Sequence, residues 1–390
     1  MATPTVIGLE DDSDILQNER VIDMDDVIAY LDPDESQFTT MLQRVARKGA
    51  DSTKVEWLED ELFPRLSSVG TGGYTNVATS VLVNTGEGVY FRPNDLVRNA
   101  RTGEAFKVVG VSTDTLDVTG QRGLGRVAAA AGNAGDQLLI IGNASRQGAT
   151  LGLRAITKRV AQYNYCMIQR QPYGFTRSLM ASKLYGGPEP MKERKKKATE
   201  HKRAIEYTLF WGTRALILTG TEPAGQAGGV FEYVITNVQN AAGTLNKTLL
   251  DTYMRQFLQH GSKNKVLFVS PVVAQAISGF LRDAWQPIDA GAARLWGAQV
   301  NGFISGAYGG QVPVVTKRDW NDFSTANGQY GGWAFLVDMD NVNLRTLRDT
   351  QLLRDRQAND ADTYDEEYLT EFSLEFQQER THGIVQGVTG

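Results

Sequence analysis

A stretch of 22 residues, Met191 to Gly212, constrains the fold more than any other part of the chain. Pro190 suits the first turn of a helix and Gly212 suits its end, so the stretch predicts one helix of ~22 residues and ~33 Å, which is long for a globular domain. Its second half carries Ile205, Leu209 and neighbouring aromatic residues at helical spacing, whereas its first half has no apolar stripe. We therefore expect one end of the helix to be buried and the other to be solvated.

The same helix is basic, with seven Lys or Arg residues against three Glu residues in a chain whose net charge is −5. Three pairs of opposite charge lie four residues apart and predict surface ion pairs worth ~0.2–0.5 kcal/mol each: Glu193 with Lys197, Lys196 with Glu200, and Lys202 with Glu206. A helix that binds nucleic acid would gain from keeping its cations free for phosphates. The pattern favours a solvated or partner-facing helix, and contact with DNA is the alternative.

The bulk composition is that of a soluble globular protein. Its 390 residues allow two or three cores at about 150 residues each, and 41% of the residues are hydrophobic. The single cysteine, Cys166, excludes an intramolecular disulfide and a zinc site built on cysteines. The acidic N-terminus resembles no export signal, and no apolar run approaches the ~20 residues needed to span a bilayer, so we expect a cytosolic protein without membrane contact.

An acidic arm opens the chain and is followed by a short amphipathic helix. Its apolar residues at helical spacing are Phe38, Met41, Leu42 and Val45. Gly49 follows two basic residues and is expected to end this helix. Val55 and Trp57 alternate with charged residues and predict a strand.

Residues 74 to 145 change in character to short β-type runs separated by Gly, Asn, Asp and Pro, which predicts a strand-rich module inserted in the chain. The segment from Lys158 to Phe175 then predicts one long strand. Beyond the basic helix the pattern becomes α/β. A helix ends at Gly261, a strand starts at Lys265, and Ser270 and Pro271 open another helix. The last predicted strands lie in "QVPVVTK", "WAFLVDMDNVNLR" and "YLTEFSLEFQ".

Motifs of catalysis and of cofactor binding are missing or lack their context. "GLGRVA", Gly123 to Ala128, fits the dinucleotide fingerprint, but too few residues follow for its helix and no acidic residue lies about twenty positions on. We interpret it as a glycine-rich turn, and a nucleotide-dependent enzyme through Gly123 and Gly125 is the weakest alternative. His201, His260 and His382 have no second ligand at metal spacing, and Cys166 has no nearby histidine. The sequence predicts no catalytic residue, no metal and no cofactor.

Acidic residues near the C-terminus predict a solvated or partner-facing surface instead of a calcium loop, because the loop's glycine and closing Glu are missing. They are Asp355, Asp360, Asp362, Asp365, Glu366 and Glu367. In the following strand Glu371 and Glu375 alternate with apolar residues and predict an acidic face. Together with the basic helix, these features suggest contacts with neighbouring copies of the chain.

The order of these segments resembles the major capsid proteins of tailed bacteriophages, with the Hong Kong 97-type fold. The resemblance is densest in "NVATSVLVNTGEGVYFRPNDLVRNARTGEAFKVVGVSTDTLDVTGQRGLGRVAAAAGNAGDQLLIIGNASRQGA" and continues in "AIEYTLFWG" and "YLTEFSLEFQQERTHGIVQGVTG". It implies an α+β fold with five parts: an N-terminal arm (1–62), an extended loop with a β-rich insertion (63–150), a peripheral domain with the long spine helix (151–214), an axial α/β domain (215–310) and strands that return to the peripheral domain (311–390).

The resemblance also implies a function. The chain would be a major capsid protein that is not an enzyme and that self-assembles through hexamers and pentamers into the icosahedral shell around a double-stranded DNA genome. It would be found in the virion, and in the host cytoplasm during assembly. Expected partners are a portal and possibly a cementing protein. Because Met1 directly precedes the arm, without a fused scaffolding segment, a separate scaffolding protein is also expected.

The candidate contacts between subunits are Lys195, Lys196 and Lys197 on one side and Glu371 and Glu375 on the other. Charge pairs at the rim of an interface set its register and specificity more than its affinity. The alternatives are that the lysines touch packaged DNA, or that the chain is another structural or DNA-contacting virion protein.

Overall fold

The computed structural model describes residues 36–149, 152, 156–182, 189–218, 220, 222–280, 285–286, 294–295, 298–299, 301–305, 310–323 and 331–389. The chain divides into two compact units, of which the smaller is Leu58–Ala161 and the larger combines Met1–Trp57 with Gln162–Gly390. Most of the arm expected at the N-terminus, residues 1–35, lies outside the described residues.

The elements up to the end of the smaller unit are mostly short strands. In chain order they are α1 (Gln37–Val45), β1 (Arg47–Gly49), β2 (Lys54–Glu59), β3 (Leu66–Ser68), β4 (Ser80–Leu82), β5 (Asp95–Asn99), β6 (Ala105–Lys107), β7 (Gly110–Ser112), β8 (Thr115–Asp117) and β9 (Gln137–Asn143).

The rest of the chain holds the longer elements. They are β10 (Val160–Tyr165), β11 (Met167–Thr176), α2 (Arg177–Ala181), α3 (Glu189–Trp211), β12 (Ala215–Ile217), β13 (Ala224–Gln226), α4 (Val230–Tyr233), β14 (Val238–Gly243), α5 (Lys247–Phe257), β15 (Lys265–Val269), α6 (Pro271–Phe280), β16 (Trp285–Gln286), β17 (Arg294–Leu295), β18 (Ala298–Gln299), β19 (Asn301–Ser305), β20 (Gly310–Thr316), β21 (Ala334–Asp338), β22 (Val342–Leu353), β23 (Thr363–Phe376) and β24 (Gly383–Val388).

Two sheets organise the larger unit. A seven-stranded mixed sheet has the order β14-β24-β21-β15-β20-β19-β16. Its apolar side chains pack with those of α5 and α6 in one core, because both helices are amphipathic. A four-stranded sheet, β1-β22-β23-β11, contributes to a second core together with α1 and the second half of α3.

The first helix confirms its predicted apolar face only in part. Phe38, Met41 and Leu42 are fully buried, but Val45 is 47% exposed. The expected helix end at Gly49 is wrong, because the helix stops at Val45 and residues 47–49 form β1, which runs parallel to β22. The backbone N–H and C=O groups of these residues thus form hydrogen bonds in the sheet. Because the partner strand lies far away in the sequence, local turn signals could not predict this pairing.

The predicted long strand is interrupted. It divides at Cys166 into β10 and β11, because the backbone N–H of Cys166 donates to the carbonyl of Thr53 (2.7 Å) at that point. β10 pairs with β2, and β11 pairs with β23. The Cys166 side chain is 4% exposed, as expected of a small buried hydrophobe, and burial raises the pKa of its thiol to about 11.

The α/β segment that follows α3 contains both predicted helices, but the predicted helix end at Gly261 is wrong, because α5 ends at Phe257. The side-chain oxygen of Asn246 accepts from the N–H of Leu249 and caps α5, and Ser270 Oγ accepts from the N–H of Val273 and caps α6. All five residues of β15 are buried. The helical spacing of the α6 segment also predicts that Phe280 and Leu281 face inward, but both side chains lie outside the described residues.

The smaller unit is the predicted strand-rich module. It holds a four-stranded sheet, β3-β9-β5-β6, and a three-stranded sheet, β4-β8-β7, around one core that includes Val97, Phe106 and Leu138. The strand-rich part starts before residue 74, because Leu66–Ser68 pairs with Gln137–Leu139. The alternation of apolar and polar residues did not predict β3, because this strand is only three residues long.

Candidate functional site

The long helix α3 has the predicted division into a buried half and a solvated half. Ile205, Leu209 and Phe210 are at most 4% exposed and pack in the core beneath α1 and the four-stranded sheet. The helix ends before Gly212, where a Cβ would lie 2.3 Å from the carbonyl oxygen of Ala227, so only glycine fits this exit.

The first half of α3 carries the exposed cations. Lys195 and Lys196 are exposed, and Lys197 is partly buried. Lys196 lies 3.7 Å from Glu193 and Lys197 lies 2.7 Å from Glu200. The pairs predicted at a spacing of four are thus replaced by pairs at a spacing of three. Lys195 has no ion pair among the described residues.

The predicted pair of Lys202 with Glu206 is wrong, because Glu206 faces the core. Its carboxylate is fully buried and accepts from Lys317 Nζ (2.9 Å) and from the N–H groups of Phe38 (2.9 Å) and Thr39 (2.6 Å). It thereby holds the first residues of α1 and the Lys317 ammonium together. Removing one member of such a buried pair typically costs several kcal/mol, since the remaining charge stays buried.

The acidic residues of β23 are already matched within their own chain. Glu371 is 5% exposed and accepts from Arg348 Nε (2.7 Å), while Glu375 is 2% exposed and accepts from the side chains of Arg345 and Asn343. Contact of these two carboxylates with the lysines of a neighbouring subunit stays a prediction. Such lysines would have to join or displace the arginines already there.

The expected solvated acidic surface is wrong for Glu366 and Glu367, which are 1% and 7% exposed. Glu366 accepts from Arg194 Nε of α3 (2.7 Å) and from the Tyr173 hydroxyl (2.6 Å). Burial alone would raise the pKa of Glu366, but these hydrogen bonds outweigh it and the pKa is lowered. The arginines that pair with Glu366, Glu371 and Glu375 lie on α3 and on β22, many residues away in the sequence. Residue spacing in the sequence therefore could not predict these pairs.

The three histidines have structural roles within the part of the chain that the structure describes. His201 Nε2 lies 2.7 Å from Thr370 Oγ1, and burial lowers its pKa. His382 is fully buried, its Nδ1 accepts from the N–H of Asp338 (3.0 Å), and burial lowers its pKa to about 4. His260 follows the end of α5, and its carbonyl oxygen accepts from Lys265 Nζ. Within the described part of the chain, no group of three His, Cys, Asp or Glu residues could hold a metal ion.

The glycine-rich segment from Gly123 to Ala128 forms a turn. Both Gly123 (φ 60°) and Gly125 (φ 87°) adopt the left-handed region, and no helix follows within residues 36–149. A dinucleotide site needs a helix N-terminus at this point for the pyrophosphate. The turn is instead fixed by Glu104, which accepts from the N–H of Gly123 (3.2 Å).

A buried ion pair that sequence reasoning missed stabilises the module. Arg122 donates from Nε (2.6 Å) and Nη2 (2.8 Å) to the two carboxylate oxygens of Glu104, which is fully buried. Burial alone would raise the pKa of Glu104, but the hydrogen bonds from Arg122, Ala130 and Gly123 and the charge of Arg122 together outweigh it, and the pKa is lowered. Arg122 also donates to the carbonyls of Thr75, Ala78 and Ala130. These bonds tie the two sides of the module to its glycine-rich turn.

Two further properties of the described residues bear on function. None of their helices is long and apolar enough to cross a membrane. Arg194 of α3 and three carboxylates of β23, those of Glu366, Glu371 and Glu375, form ion pairs within the chain.

Comparisons with known proteins agree with this geometry. The model of the SU10 major capsid protein family matches residues 8–389. A search of curated proteins found no match. The cyanophage A-1(L) capsid asymmetric unit is similar in structure, with a TM-score of 0.54 and 10% identity over 96% of this chain and 98% of that chain. The capsid of an empty GTA particle has a TM-score of 0.51 and 11% identity over 97% and 99%.

At such low identities the structural likeness shows the fold, which confirms the expected α+β fold of the Hong Kong 97 type. The family match adds function, because it spans nearly the whole chain and includes both compact units. The chain therefore belongs to the SU10 major capsid protein family and is a phage major capsid protein.

Proposed function

We propose that this chain assembles through hexamers and pentamers into the icosahedral shell that encloses the double-stranded DNA of a tailed phage, without catalytic turnover. The observation that carries the proposal is the match of a capsid protein family to residues 8–389. The protein resides in the virion, and in the host cytoplasm while shells form. A separate scaffolding protein, a portal and a cementing protein stay predictions from the resemblance.

The five segments expected from the resemblance map onto this proposal. The compact unit Leu58–Ala161 includes the segment assigned to the extended loop and its insertion, residues 63–150. Helix α3 would be the spine helix of the peripheral domain, and α5, β15 and α6 would belong to the axial domain. These assignments are proposals that a structure of the assembled shell would test.

For the joints between subunits we propose Lys195, Lys196 and Lys197. Lys195 and Lys196 are exposed at the solvated end of α3, and Lys195 has no ion pair among the described residues. Their acidic partners were expected at Glu371 and Glu375, whose carboxylates already bind Arg348 and Arg345. A neighbour's acidic surface remains the proposed partner, and DNA on the inner wall is the alternative.

Changing all three lysines to Gln separates these two roles. Surface pairs are worth ~0–1 kcal/mol each, so one subunit loses little stability, but the loss repeats at every equivalent contact of a symmetric shell. We expect fewer or misshapen particles in the absence of nucleic acid, at low and moderate salt, with the melting of the subunit little changed. Light scattering and electron microscopy of wild type and variant give the particle yield.

Lys247→Gln, an exposed lysine of α5, is the single-charge control. If the lysines instead bind phosphates, the triple variant forms normal empty shells. Each lost contact then lowers the salt slope of DNA affinity by roughly 0.9. That result would assign the surface to DNA.

A further inference from the structure

The formal charge of the chain is divided unevenly along the sequence. Residues 1–35 contain 11 acidic residues and one basic residue, Arg20, so this segment carries −10. Of the 45 acidic and 40 basic residues in the chain, 34 and 39 remain for residues 36–390, which carry +5. The overall charge of −5 therefore hides a strongly acidic N-terminal segment joined to a basic remainder.

One face of α3 presents a surface that an anion would stabilise. This basic surface consists of Lys195, Lys196 and Lys202, all of which are exposed. Lys195 and Lys202 are seven residues apart and lie on one side of the helix. Like charges on one side of a helix repel one another, so a bound anion would stabilise this surface. Neither Lys195 nor Lys202 has an ion pair among the described residues.

A cavity of about 400 Å³ opens beside this surface, between α1, α3 and the four-stranded sheet. Apolar side chains of Ile205, Leu344 and Phe372 line it, together with Lys202. His201 also lines it, is 1% exposed, and has an Nδ1 atom without a hydrogen-bond partner among the described residues. The cavity thus offers apolar walls to a side chain, and Lys202 is the lining cation outside the Arg47–Asp349 ion pair.

The N-terminal segment leaves the described structure next to this site. The N–H of Phe38 donates to Glu206 of α3, which fixes the start of α1 on that helix. Glu206 and Lys195 are eleven residues apart, about three turns and ~17 Å along one side of α3. About five extended residues span that distance. A tethered segment of this length meets its own helix at an effective concentration in the millimolar range.

We propose that residues 1–35 dock on the basic surface of α3 of their own chain in the unassembled subunit, and that one of their apolar side chains occupies the cavity. The docked segment neutralises lysines of α3 that could otherwise contact a neighbouring subunit or DNA. It therefore delays these two kinds of contact until a neighbouring subunit or DNA displaces it. The inference concerns the free subunit and holds whether or not shells form.

Zero-length carbodiimide cross-linking of the full chain tests the docking. Equal amounts of ¹⁴N- and ¹⁵N-labelled subunits are mixed and treated with the carbodiimide at a dilution where light scattering detects no particles. The products are then digested and analysed by mass spectrometry. We expect amide links from Lys195, Lys196 or Lys202 to carboxylates of residues 1–35, in peptides of uniform isotope. Links of mixed isotope would assign the surface to a second copy, and an absence of links would overturn the proposal.

A second measurement follows release of the segment. In the variant Lys195→Gln/Lys202→Gln, cleavage within residues 1–35 by a glutamate-specific protease should accelerate by about three- to tenfold, since weak surface contacts are lost. Lys247→Gln removes the same kind of charge from α5 and should leave the rate unchanged. Equal acceleration by Lys247→Gln, or no acceleration by the double variant, would contradict docking on α3.

Discussion

At the scale of single residues, the charges of this protein divide into buried pairs that hold its elements together and exposed lysines that remain available. Glu206 belongs to the first group, because its carboxylate joins Lys317 to the first residues of α1. Glu366 does the same between α3 and β23 through Arg194. The exposed Lys195 belongs to the second group. Burial, more than residue type, decides whether a charge stabilises the fold or is available for a contact.

Replacing Glu206 with Gln should destabilise the larger unit by ~3–5 kcal/mol, because the Lys317 ammonium stays fully buried with its main partner removed. Asp319, 4.0 Å from Lys317, offsets part of the loss, so we expect the lower end of that range. Urea unfolding followed by tryptophan fluorescence measures it, since Trp211 and Trp320 lie near this pair in the same core. Glu193→Gln at the exposed end of α3 is the matched control and should change stability by less than ~1 kcal/mol.

A change below ~1 kcal/mol for Glu206→Gln would mean that the pair contributes nothing beyond its packing. If Glu206→Gln instead costs ~3 kcal/mol or more, the combined variant Glu206→Gln/Lys317→Met should regain part of that loss, because it removes the unpaired ammonium as well. No recovery in the combined variant would place the cost in the hydrogen bonds to Phe38 and Thr39.

The buried His382 makes the stability of the larger unit depend on pH. Its pKa is lowered from 6.5 to about 4 by burial, so the unfolded chain binds the proton more tightly than the folded one. The contribution is fully present above pH 6.5 and is lost as the pH falls through 4, on the order of 3 kcal/mol in total. Chemical unfolding at several pH values between 7 and 4 measures the slope, and His382→Gln should flatten it. An equal slope in this variant would assign the dependence to other groups.

At the scale of elements, the sequence predicts the helices and strands whose start, end or apolar pattern is marked by nearby residues. Helix α3 was predicted almost to its ends, since Pro190 and Gly212 mark them, and Ser270 marks the start of α6. Pairings between distant residues were not predictable. The three-residue strands β1 and β3 exist only through their partners β22 and β9, and the arginines around β23 come from other elements. The exposed lysines of the site could be predicted, whereas the burial of Glu371 and Glu375 required the fold.

At the same scale, we expect the module to be a joint between subunits, and the fold indicates where it can be removed as a unit. Its sheet includes β3, so a cut at residues 74–145 would leave β3 without its partner β9. Replacing residues 60–159 by a short Gly/Ser linker instead keeps the whole of β2 and β10, which pair with each other. The larger unit has its own two cores, so we expect the variant to fold, with cooperative unfolding, yet to form no shells. Normal particles on a sizing column would show that the module is not a joint.

At the scale of the whole molecule, the chain combines two compact units, a solvated basic end of α3 and an uneven distribution of charge, and we expect separate surfaces of the subunit to contact its neighbours. The described residues hold no metal cluster and no dinucleotide turn followed by a helix. Family and fold both belong to capsid proteins. A closed shell repeats each weak contact many times, so modest pair energies suffice for a stable particle and permit the release of misplaced subunits.

Electron microscopy of the purified full chain, co-expressed with its scaffolding protein where one is needed, tests the proposed assembly most directly. Negatively stained images should show uniform round shells, or rings of six and five subunits where closure is incomplete. The same preparation should show no nucleotide turnover. A monodisperse monomer at high concentration in the presence of scaffold, together with saturable nucleotide binding, would contradict assembly into a capsid.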